Sequence, residues 1–205
     1  MRVALLAAAL VLVACGPAAP ADRLGRAVTA MEALRGVRFT LDARSVAGSG
    51  GRGAGTAGDL TLDYHATGEL VPPERMRLAL RDGVPATLVI IGPRAWRDGR
   101  PISPTALRTL AHPLALLEQA REPGTASVAG LGFARGNVTV RYRVDRGDRG
   151  IVEVELGLFD DLIRRQSFTV TEAAAPDGTG LATVRTSYRV EYWDFGLPLE
   201  IGEPN

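Results

Sequence analysis

Val37-Arg38-Phe39-Thr40-Leu41-Asp42-Ala43-Arg44 alternates apolar and polar residues without a break. Side chains of an extended chain point to opposite faces in turn, so this stretch predicts a β-strand with one buried and one wet face. The period of two recurs downstream. Leu60, Leu62, Tyr64 and Ala66 alternate with Thr61, Asp63, His65 and Thr67, and Met76, Leu78 and Leu80 with Arg75, Arg77 and Arg81. Asp82-Gly83 then offers a hairpin turn into the run Ala86 to Ile91, which carries Leu88 and Ile90. In the second half Val138, Val140, Tyr142 and Val144 alternate with Thr139, Arg141, Arg143 and Asp145. Val152, Val154 and Leu156 follow against Glu153 and Glu155, then a strand with Phe168 and Val170, and last Val184, Tyr188, Val190 and Tyr192 opposite Arg185, Arg189 and Glu191. The pattern predicts a meander of about eight antiparallel strands.

Helical spacing appears in two places. Leu24, Val28, Met31 and Leu34 recur at three to four residues, with Asp22 placed to cap the helix and Gly36 to end it near Arg35. Pro101 to Glu122 interrupts the strands. There Ser103 is placed to cap a short helix through Leu107 and Leu110, and His112-Pro113 to start a second through Leu114, Leu117 and Ala120.

Area then limits the architecture. Eight strands about 4.8 Å apart and about ten residues long present an apolar face on the order of 1,200 Å². One helix of about 14 residues and two of about 8 cover roughly 450 Å² of it. A sheet so wide relieves the shortage by curling, which turns its apolar side toward a shared interior. Alternating strands also build a plain sandwich without any void, and the pattern alone leaves both open. In the curled case the residues expected to line the cavity are Val37, Phe39, Leu41, Leu60, Leu62, Tyr64, Met76, Leu78, Leu80, Leu88 and Ile90 from the first half. Val138, Val140, Tyr142, Val152, Val154, Phe168, Val184, Tyr188 and Val190 join them from the second.

The chain opens with Arg2, an apolar run from Val3 to Ala14, and then Cys15-Gly16-Pro17. This is the plan of a secretory signal, and twelve apolar residues fall short of the roughly 20 that a bilayer span needs. Leu12-Val13-Ala14-Cys15 looks like the lipobox of bacterial lipoproteins, with cleavage between Ala14 and Cys15 and diacylglycerol on the Cys15 thiol. Two acyl chains give a stable anchor where one is marginal. The expected divisions are therefore a signal peptide at 1–14, an acylated cysteine with a Pro/Ala tether at 15–21, and one domain at 22–205. The expected location is the outer face of the cell membrane or another envelope membrane. Cys15 is the only cysteine, so neither a disulfide nor a thiolate metal site is open to the exported domain. Loss of residues 1–14 removes Arg2 from the 24 basic residues and leaves 23 against 23 Asp plus Glu, a balance that gives nucleic acid nothing to bind.

The other signals are weak. Gly48-Ser49-Gly50-Gly51-Arg52-Gly53 matches a dinucleotide-binding spacing, but a strand pattern follows it where a helix should, so a hairpin loop is the better reading. His65 and His112, the two histidines, lack partners at any recognisable metal or catalytic spacing, and Asp160-Asp161 reads as a turn. No catalytic residue, metal or cofactor is expected.

The order of lipobox, helix, strands, helical interruption and strands resembles the lipoprotein-carrier superfamily, LolA/LolB-like, and within it the mycobacterial LppX/LprG lipoproteins. The residues that carry the resemblance are Met31 to Phe39 at the helix-to-strand passage, Gly68 to Met76 before the third strand, Leu88 to Gly92 followed by Trp96, and Tyr192 to Ile201 near the C-terminus. The Gly-rich stretch Ala47 to Gly58 departs from that family's compact hairpin. The resemblance implies an α+β fold: a curled, incomplete antiparallel β-barrel, with the N-terminal helix and the mid-chain helical pair across its concave face. It implies the acyl chains of a lipid or glycolipid as ligand, carriage between membrane surfaces, and an envelope transporter as partner. The alternative is a non-transporting envelope module that contacts a protein.

Overall fold

The computed structural model describes residues 19–49, 60–81, 85–103, 125–147, 150–173 and 182–204. One helix and eleven strands appear among them. Helix α1 is Pro20–Glu32, and the strands in chain order are β1 Val37–Ser49, β2 Leu60–Val71, β3 Arg75–Leu80, β4 Ala86–Ile91, β5 Arg94–Arg97, β6 Arg100–Ile102, β7 Thr125–Ala134, β8 Asn137–Asp145, β9 Ile151–Gly157, β10 Ile163–Ala173 and β11 Ala182–Trp193. All eleven form a single antiparallel sheet in the order β6-β5-β4-β3-β2-β1-β11-β10-β9-β8-β7. Each half of the chain is thus a meander, and the first strand of one is zipped to the last strand of the other. Twelve residue pairs make that seam, from Arg38 opposite Trp193 to Ser49 opposite Ala182.

The alternation in β1 does what its period requires. Val37, Phe39, Leu41 and Ala43 are buried, and they share one core with Ala66, Leu70, Met76, Leu78 and Leu88 on one side and Val190, Tyr192, Val154, Val152 and Tyr142 on the other. Leu78 and Leu88 are buried on β3 and β4, whereas α1 lies against β7 and β10. Burial on strands away from α1 fits a curled, unclosed sheet. α1 adds Leu24, Ala27, Val28 and Met31, all buried along one stripe.

Several expectations need correction. The helix starts at Pro20 and not after Asp22: its N-cap is Ala19, no side chain caps it, and Asp22 lies in the first turn. Proline at the first helical position loses nothing, since that N–H has no helical acceptor. The helix stops at Glu32. Gly36 instead lies so close to the Leu197 carbonyl oxygen that an added Cβ would come within 2.7 Å of it, and the glycine lets the C-terminal tail cross the start of β1. The tail continues along the outer face, where Arg75 donates to the Ile201 carbonyl at 3.3 Å. Ile201 is buried there, and so is Val89, which carries outward parity.

Eleven strands are present among the described residues where about eight or more were expected; β5, β6 and β7 are the ones not read, because they carry no clean alternation. Asp98-Gly99, with φ of 50° and 77°, makes the two-residue turn between β5 and β6, a hairpin signal present in the sequence but not read from it. Of the helical pair expected over Pro101 to Glu122, Pro101 and Ile102 extend the sheet as β6, and 104–124 lie outside the described residues. The turns expected at Asp82-Gly83 and in the Gly-rich loop fall largely outside them as well, although β1 and β2 do pair as antiparallel neighbours.

Candidate functional site

The concave face is graded from one end of the strands to the other. At the end where β1 begins, α1 crosses the sheet and the rows through Phe39, Leu41, Val190 and Tyr192 are solidly packed. Arg23 fixes the helix there. Its guanidinium donates to Asp161 Oδ1 at 2.6 Å, to the carbonyls of Gly157 and Leu158 at 3.2 and 3.1 Å, and to the Tyr142 hydroxyl at 3.3 Å. Burial by itself would lower the Arg23 pKa, but the hydrogen bond and charge of Asp161, with Tyr142, outweigh it and leave the group above its ordinary value.

Toward the opposite end the inward side chains become aromatic and then polar. Tyr64 and Tyr188 flank Ala43 on β2 and β11. Tyr188 stacks on Phe168 with centroids 4.8 Å apart. Ser45 and Thr186 then share a hydrogen bond of 3.0 Å. The Tyr64 hydroxyl is buried and has no hydrogen-bond partner among the described residues. Burial, then the neighbouring Tyr188, pushes its pKa up.

The expected lining residues separate into groups. Val37, Phe39, Leu41, Met76, Leu78, Leu88, Val140, Tyr142, Val152, Val154, Phe168, Tyr188 and Val190 are buried on the inward parity, while Tyr64, Leu80 and Ile90 are partly buried against the same core. Val184 is half-buried, and the side chains of Leu60 and Leu62 lie outside the described residues. Val138 departs from the rest. It has the inward parity of Val140, yet it is 43% exposed, on the strand next to the edge strand β7.

That edge holds a feature the sequence reading missed. Phe133 pairs with Val138, Leu131 with Val140 and Val128 with Tyr142, so all three side chains of β7 face inward. They are nevertheless 65%, 67% and 59% exposed. A bulge between Val128 and Gly130 shifts the parity of the strand, which is why Thr125 to Ala134 does not alternate cleanly in the sequence. The concave face therefore ends in an apolar strip of Val128, Leu131, Phe133 and Val138 that the described residues leave open.

The outer face is polar and tightly paired. Glu155 and Thr139, both expected to be wet, are buried, since Thr139 donates to Glu155 at 2.9 Å and Arg165 to the same carboxylate at 3.0 Å. His65 pairs with Asp42 on this face, a partner that its sequence spacing did not show. A groove of about 350 Å³ is lined by residues 42–44, 63–65 and 187–189, so it is bordered by inward Ala43, Tyr64 and Tyr188 as well as by outward residues. Among the described residues no three His, Cys, Asp or Glu side chains gather as a metal site would require, and no helix is long and apolar enough to cross a membrane. Cys15 and His112 lie outside the described residues.

No family model matches the chain, and no curated protein does. Among solved structures it is similar to LprF from Mycobacterium bovis, at 11% identity over 90% of this chain and 96% of that one, with a TM-score of 0.47. It is similar to a LolA superfamily protein from Nitrosomonas europaea at 10% identity over 91% of this chain and 96% of that one, with a TM-score of 0.37. For the MucA/MucB complex of Pseudomonas aeruginosa the identity is 18% and the TM-score 0.37, over 84% of this chain and only 56% of the longer one.

Proposed function

We propose that the chain is an exported envelope lipoprotein, cleaved before Cys15 and anchored by diacylglycerol on it, that holds the acyl chains of a lipid or glycolipid against its concave face and carries them between membrane surfaces. The observation that supports this reading best is the strip Val128, Leu131, Phe133 and Val138, inward-facing and 43% to 67% exposed at the free edge of the sheet. Leaving such side chains in water forfeits about 25 cal/mol for each Å² of apolar surface, and a hydrocarbon chain laid along them recovers it. At about 0.8 kcal/mol per buried CH₂, a 16-carbon chain gains roughly 12 kcal/mol before ordering costs. The Tyr64 hydroxyl, without a hydrogen-bond partner among the described residues, and the Ser45–Thr186 pair lie on the same face, where they can meet the polar end of such a ligand.

The test is native mass spectrometry of the unacylated domain after gentle purification, together with titration of a fluorescent fatty acid. Co-purifying lipid and saturable uptake are expected. A ligand-free mass with no uptake would defeat the reading, and a stoichiometric envelope protein recovered with it would favour the non-transporting module.

A further inference from the structure

Phe159 is 93% exposed at the tip of the turn that joins β9 to β10. It does not stand apart from the apolar strip. Leu158 N–H donates to the Val138 carbonyl at 3.1 Å, which continues the β8–β9 ladder and sets this turn beside Val138 and its partner Phe133. The three residues therefore share one end of the sheet, the end that α1 crosses. The N-terminus of α1 is there too, since Arg23, three residues into the helix, donates to the Leu158 carbonyl. Between Cys15 and Pro20 there are only five steps of chain, a reach of at most about 17 Å.

We propose that the end of the molecule bearing Phe133, Val138 and Phe159 seats on a lipid bilayer, with Phe159 entering the interface. The proposal rests on the reading of Cys15 as a lipid anchor for its orientation: an anchor so close to the start of α1 holds this end, and no other, against the membrane. Phe is among the side chains that interfacial contacts bury at the boundary of headgroups and acyl chains. The surrounding charges set the kind of contact. Arg23 and Arg26 are both engaged by Asp161, Arg164 by Asp160, and Arg135, in the turn between Phe133 and Val138, by Glu191, with Asp22 exposed in the same first turn of α1. Cations and carboxylates thus offset one another, and the contact is apolar and indifferent to lipid charge. It also gives a lipid leaving the bilayer a continuous apolar path from Phe133 and Val138 to Leu131 and Val128.

The experiment uses the chain from residue 15 with Cys15→Ser, which retains every residue of the described core, since that core begins at Leu24. It is floated with phosphatidylcholine vesicles and with phosphatidylcholine–phosphatidylglycerol vesicles. Equal partition into both is expected, unchanged by added salt, and F133D/F159D should lower it by about tenfold or more. The single variant F159S, at a fully solvated position that folding does not use, should lower it in the same direction. Absence of partition at millimolar lipid, or partition the variants do not change, would overturn the proposal. Binding confined to phosphatidylglycerol and lost in salt would replace it with an electrostatic contact elsewhere, and a dimer that F133D/F159D dissociates would assign the patch to a second copy. Fatty-acid uptake measured on the same samples separates the readings: vesicle binding without uptake ends the carrier function and leaves the membrane contact standing. Uptake without vesicle binding does the reverse.

Discussion

Glu191 shows how the outer face of the sheet is held. Its carboxylate accepts from Arg165 Nε at 2.9 Å and Arg189 at 2.7 Å, and Arg135, which lies over the Trp193 ring at 3.9 Å, approaches it at 3.6 Å. Burial would raise the pKa of this group, but the hydrogen bonds and charges of Arg189 and Arg165 exceed that and hold it below its ordinary 4.5. A carboxyl whose pKa is lower in the folded state contributes stability at pH values above its unfolded pKa and loses it as pH falls through the folded one. Glu191→Gln should therefore cost about 1 kcal/mol near neutral pH. In urea titrations the gap between it and the parent protein should close below about pH 4.5, where the parent carboxyl takes up its proton. A gap that stays constant into acid would show that the cost is one of packing. The sequence announced Glu191 and Glu155 only as polar positions on a wet face. It could not reveal that Arg141, Arg165 and Thr139 close over Glu155, because the pairing depends on which strands become neighbours. Gly68 is similar: only the β1–β2 register places it under the Phe39 ring, where an added Cβ would collide with that ring and come within 2.8 Å of the Arg77 carbonyl oxygen.

Elements were legible to the extent that their two faces differ. β1, β2, β3, β8, β9 and β11 alternate in sequence because one face is buried beneath the core and the other carries paired charges. β7 is hidden by its bulge and by inward residues that nothing described covers, and β5 and β6 are too short to establish a period. α1 was legible from its single stripe, but its boundaries were not, since an Ala–Pro start offers no side-chain cap to read. What holds α1 in place is Arg23 as much as its apolar stripe, because that one side chain binds the carboxylate and two carbonyls of the β9–β10 turn. Arg23→Ala should lower global stability by about 1–3 kcal/mol. Hydrogen exchange in the first two turns of α1 should accelerate more than exchange in β1 or β11, which are locked by the central seam. Uniform acceleration across helix and seam would mean that α1 and the sheet open as one unit.

For the whole molecule, the order of the strands explains why a fold of this size can leave apolar surface in water. The seam between β1 and β11 lies in the middle of the sheet, so the strongest pairing is as far as it can be from the two edges, β6 and β7. Burial is complete around the seam, where Phe39, Leu41, Val190 and Tyr192 reach almost no solvent, and it fails at β7. Stability and binding are accordingly separable in space. Val128→Ser with Leu131→Ser removes side chains that contribute little to folding, and the unfolding free energy should change by no more than about 0.5 kcal/mol. Uptake of a fluorescent fatty acid should weaken by about tenfold or more, since the edge strip would no longer offer hydrocarbon a dry wall. Leu41→Ala, on the central strand five strands from either edge and buried, should do the opposite by costing about 2–5 kcal/mol of stability. If the double serine variant instead unfolds as readily as Leu41→Ala, the strip belongs to the packed core in solution and the acyl-binding reading loses its main support.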